Sequence, residues 1–68
     1  MYPPLDLIAL AKSYGRNAHF DGTQRVWTDD IQFVEFVARN AKSNARKKTL
    51  IEAWTRGWDQ AAYLKHIK

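Results

Sequence analysis

Ala53-Trp54-Thr55-Arg56-Gly57-Trp58-Asp59-Gln60-Ala61 is the stretch that decides the fold. Two tryptophans four residues apart share one helix face. The glycine between them opens a gap in that surface, where another backbone, or a nucleotide, can approach closely. Gly57 in mid-helix costs on the order of 1 kcal/mol relative to alanine, and close packing of a second helix is the ordinary compensation. Around this stretch Leu50, Ile51, Trp54, Trp58, Ala61 and Leu64 form an apolar stripe. The spacing predicts a helix over 45–66.

A fainter copy of the pattern lies upstream. Ala11-x-Ser13-x-Gly15-x-x-Ala18 parallels Ala53-x-Thr55-x-Gly57, with Ala61 one place further on. If the first and third helices cross at these notches, each glycine accepts the bulk of the other helix. Leu5, Ile8, Leu10, Ala11, Tyr14 and Ala18 recur at helical spacing, so a helix over 4–20 is expected. Pro3 and Pro4 suit its first turn, and Gly22 is its expected left-handed terminator. Residues 22–28 form a connector in which Val26 and Trp27 are apolar enough to plug a core edge. Thr28 reads as an N-cap, with Asp29 and Asp30 in the first turn of a helix over 29–42. A strand over 31–37 is the competing reading, but apolar and polar positions do not alternate cleanly there. The expected architecture is all-α: a three-helix single domain, 1–68, with the first and third helices packed through their glycines.

A chain of 68 residues buries only about 60% of its unfolded surface. With no cysteine, disulfides and thiolate metal sites are excluded, which fits a reducing, cytoplasmic setting. Stability must come from good helix packing, a homodimer or a large partner. The three Trp, three Tyr and three Phe favour the first two. No apolar run approaches the roughly 20 residues that span a bilayer, and Met1-Tyr2-Pro3-Pro4 lacks the features of a signal peptide. Eleven Lys and Arg against seven Asp and Glu, a formal charge of +4, favour an anionic partner.

Catalysis is not expected. His19 and His66 lie in no catalytic or metal-ligand pattern, and Ser13 and Ser43 have no paired base. His19 with Asp21 falls short of the four ligands a structural zinc site needs. No cofactor and no metal are therefore expected.

The basic segment carries more information. Arg39, Lys42, Arg46, Lys47 and Lys48 span the end of the second helix and the start of the third, where they can converge on phosphates. Cations at a helix start oppose its dipole unless an anion is bound. The leading expectation is RNA or a ribonucleoprotein held by these residues. Arg56 would assist and Trp27 would offer a stacking surface, while Gly15, Trp54, Gly57 and Trp58 would be structural. Two alternatives stay open. One is a protein-binding inhibitor of a host enzyme, with aromatic anchors and a charged rim. The other is a dimeric helix-turn-helix regulator that brings Asn44, Arg46, Lys47 and Thr49 to duplex DNA.

The stretches Ala11–Gly22 and Ile51–Ala61, about a third of the chain, resemble the ribosome modulation factor family and its small phage-borne relatives. The more distinctive match is Trp54-x-x-Gly57-Trp58-x-x-Ala61. The resemblance implies a pair of packed helices, binding to ribosomal RNA and silencing of translation. This chain departs from the family pattern in two places. A helical segment, about Asp29 to Lys42, stands where the family has a short Pro-containing linker, and Met1-Tyr2-Pro3-Pro4-Leu5-Asp6 replaces a strongly basic N-terminus.

Overall fold

The computed structural model describes residues 5–66, with side chains through Leu64. Pro3 and Pro4, expected to open the first helix, lie outside the described residues. Helix α1 (Leu5–Phe20) is followed by a single 3-10 turn (Trp27–Asp29), then α2 (Ile31–Asn40) and α3 (Asn44–His66). The architecture is all-α with three helices, and α1 packs most extensively on α3. Among the described residues no helix is long and apolar enough to cross a membrane.

Helix α1 ends as its glycine requires. Gly22 takes φ of 85°, Thr23 N–H donates to the Ala18 carbonyl (2.8 Å) and Gly22 N–H donates to His19 (3.1 Å). These are the two bonds of a Schellman cap. The cap also docks the third helix, because the Trp58 indole N–H donates to the Thr23 carbonyl at 2.9 Å.

The two helical glycines form the crossing between α1 and α3. A Cβ added to Gly15 would strike the Trp54 carbonyl oxygen and come within 2.9 Å of the Trp58 nitrogen. A Cβ on Gly57 would strike the Lys12 carbonyl oxygen and reach 3.0 Å from Lys12 Cα. Each glycine is thus met by the backbone of the other helix. The partners advance together along both helices. Ile8 shares a groove with Thr49 and Ala53, Lys12 meets Gly57, and His19 stands edge-on to Trp58 at 4.7 Å. Helices α1 and α3 therefore run in the same direction. Helix α2 runs the opposite way, with Phe33 near Trp54 and Ala41 near Lys47.

The core is Ala11, Ala18, Phe33, Phe36, Val37, Leu50, Ala53 and Trp54, with Tyr14, Trp27 and Trp58 packed against it. Trp54 is fully buried. Tyr14 bridges α1 to α2, its ring 5.9 Å from Phe33 and 5.1 Å from Phe36. Three apolar positions of the expected stripes instead face solvent: Leu5, Leu10 and Leu64. Leu64 lies six residues beyond Trp58, about 9 Å along the helix, and Trp58 is where His19 marks the end of α1.

The start of α2 corrects the sequence reading. Thr28 and Asp29 belong to the 3-10 turn, and the cap is Asp30. One carboxylate oxygen accepts from Phe33 N–H (3.2 Å) and the other from the Trp54 indole N–H (2.9 Å). The carboxylate at 30 thus offers a separate oxygen to each donor. The helix also ends earlier than expected, at Asn40, whose side-chain amide donates to the Phe36 carbonyl at 2.9 Å. Ala41 is extended. Ser43 then caps α3, its hydroxyl accepting from Arg46 N–H at 3.2 Å.

Asp30→Ala removes a cap, about 0.5–2 kcal/mol, and strands a buried indole donor, about 1–3 kcal/mol. Chemical denaturation should register a loss of roughly 2–4 kcal/mol for Asp30→Ala, against roughly 0.5 kcal/mol or less for Thr28→Ala. Equal losses in the two variants contradict the assignment.

Candidate nucleic-acid interface

Between Glu35 and Glu52 the chain carries no carboxylate, and within that interval stand Arg39, Lys42, Arg46, Lys47 and Lys48. The end of α2, the link 41–43 and the capped start of α3 bring this interval to one corner of the molecule. Among the described residues the only ion pair is Arg25–Asp59. Within the described residues none of the five corner cations is neutralised by a carboxylate, and neither is Arg56.

Helix geometry divides these cations. Successive residues of α3 turn by about 100°, so Arg46, Lys47 and Lys48 fan out instead of converging on one point. Lys47 lies over Trp27, its Nζ 5.6 Å from the ring centroid. Arg46 is half-buried, and Lys48 is exposed. Lys42 is exposed in the link, directly after Ala41. On α2, Arg39 occupies the flank opposite Val34, Val37, Ala38 and Ala41, the residues that face Trp27 and Lys47 across a groove. Arg56 belongs elsewhere: it lines a second groove between α1 and α3 with Ile8, Lys12, Thr49, Glu52 and Ala53. That second groove carries a carboxylate, Glu52, beside its cations Lys12 and Arg56.

Trp54 and Trp58 turn inward. Trp54 has no exposed surface, and both indole N–H groups donate internally, to Asp30 and to the Thr23 carbonyl. Trp27 differs. It is half-buried, with its ring edge-on to Phe33 at 6.1 Å and 86°, and it lines the groove beneath Lys47.

The four residues of the duplex-reading alternative are also separated. Thr49 Oγ1 donates back to the Ala45 carbonyl at 3.1 Å, and Thr49 faces the groove shared with Ile8. Lys47 faces the other groove. These residues do not present one common edge.

Two contacts have no sequence signature. Arg25, in the connector, clamps Asp59 on α3 with two hydrogen bonds of 2.7 and 2.8 Å, across a separation of 34 residues. His19 sets its ring edge-on to Trp58, with Nδ1 buried and without a hydrogen-bond partner among the described residues. No regular spacing announces either.

The Arg25 guanidinium, chiefly through its hydrogen bonds, holds the Asp59 carboxyl below its ordinary 3.8. A carboxyl depressed in the folded state stabilises above its unfolded value and stops doing so as pH falls through the folded one. Both side chains are about half exposed, so the effect is small and weakens in salt. Melting curves should place wild type slightly above Asp59→Asn from pH 7 down to about 4, with the gap closing at lower pH. A gap that widens on acidification contradicts the clamp.

No family model matches this chain, and neither a curated protein nor a solved structure matches it.

Proposed function

We propose that this chain is a non-enzymatic regulator that binds RNA, free or within a ribonucleoprotein such as the ribosome, through the edge formed by α2, the link 41–43 and the start of α3. The observation that carries the reading is a carboxylate-free interval whose cations pair with no carboxylate among the described residues. Basic side chains in the first turn of α3 raise the free energy of that helix end. A bound polyanion reverses the sign of that term. Lys42, Lys47 and Lys48 would neutralise phosphates, with Arg46 and Arg39 at the margins.

RNA is favoured over duplex DNA because Thr49 and Lys47 face different grooves, which leaves no continuous reading face for a major groove. The ribosomal setting rests on the family resemblance, and a cytoplasmic location on the absence of cysteine.

The test is charge reversal at Lys47→Glu with Lys48→Glu, both exposed. Each phosphate contact on a single strand contributes about 0.7 to the slope of log affinity against log salt. The double variant should bind single-stranded RNA more weakly, with a slope reduced by roughly 1.4 and a melting temperature little changed. Undiminished affinity with an unchanged salt slope contradicts the proposal.

A further inference from the structure

We infer that the groove between Trp27 and α2 receives one unpaired RNA base, stacked on the Trp27 ring, while Lys47 leaves that ring for the flanking phosphate. This inference rests on the RNA-binding reading and specifies its ligand as single-stranded.

The groove has a volume of about 270 Å³ and lies open to solvent. Val34, Val37, Ala38 and Ala41 line it beside the Trp27 ring. Phe33 holds the Trp27 ring edge-on from within the core. The platform is therefore fixed before a ligand arrives, and little ordering entropy is lost on stacking. Charge complementarity identifies the occupant. Among the lining residues there is one cation, Lys47, and no carboxylate, and Lys42 follows directly after Ala41. An apolar slot with an ammonium at its mouth matches the pattern of a nucleotide: a flat ring with an anion one bond series away.

The relative strengths permit the exchange. An exposed ammonium over an indole accounts for roughly 2- to 5-fold in an equilibrium. A base stacked on an aromatic ring accounts for roughly 5- to 150-fold. The base displaces the ammonium, which gains a phosphate in return.

The test uses a dodecamer of uridines and a second dodecamer with the same sugar–phosphate backbone and no bases, with binding read by fluorescence anisotropy. Wild type should bind the uridine strand at least about 5-fold more tightly than the abasic one. Ala38→Leu fills the groove from an exposed helical position with a good helix former, and leaves every cation in place. It should lower uridine binding to the abasic level and leave abasic binding unchanged. Trp27→Leu should do the same, with circular dichroism confirming that it folds. Equal affinity of wild type for the two strands, with Ala38→Leu neutral, overturns the base site while phosphate binding stands. Failure of both strands to bind at low salt overturns the RNA reading itself.

Discussion

Backbone-to-backbone contact between α1 and α3 is the constraint on which the remaining geometry depends. Gly15 lies against the Trp54 carbonyl and Gly57 against that of Lys12, so neither position has room for a side chain. The contact brings the two helices closer than any pair bearing side chains at the crossing. It costs the helix propensity of two interior glycines, about 1 kcal/mol each. Burial of Trp54, Ala11 and Ala53 around the crossing offsets that cost. With the helices fixed here, the two indoles flanking Gly57 become struts. Trp54 reaches the cap of α2 through Asp30, and Trp58 reaches the cap of α1 through Thr23. A small chain without disulfides thus ties its helix ends to its core through indole hydrogen bonds.

The same arrangement sets the electrostatics. Pinning α3 through its middle fixes the direction of its first turns, so Lys47 faces Trp27 and α2 while Arg56 faces α1. Carboxylates are used elsewhere: Asp30 as an acceptor within the fold, and Asp59 as a clamp on the connector. What remains at the corner is positive charge without internal compensation. Such an edge repels itself, and a salt-dependent contact with a polyanion is what the proposed function asks of it.

The parts of the fold legible in the sequence were those with a periodic or conformational signature. Gly57 between two tryptophans and Gly15 in a matching context announced the crossing, because a glycine inside a helix needs a reason. Gly22 announced the end of α1, because only a left-handed residue completes that cap. The start of α2 was misplaced by two residues. Thr28-Asp29-Asp30 holds three competent caps, and the choice among them is made by Trp54, 24 residues away. Arg25–Asp59 is invisible for the same reason: its determinant is tertiary. The candidate interface was legible as composition and not as geometry. Five cations between 39 and 48 suggest one patch, yet the turn of α3 divides them, and only Lys47 joins the aromatic groove.

The most direct measurement is the nuclear Overhauser pattern of the two glycines in the free protein. Close crossing predicts cross-peaks from Gly57 Hα to Lys12 Hα and from Gly15 Hα to the Trp58 amide proton. Glycine Hα signals that reach only residues of their own helix would contradict the crossing, and with it the geometry that points Lys47 at Trp27.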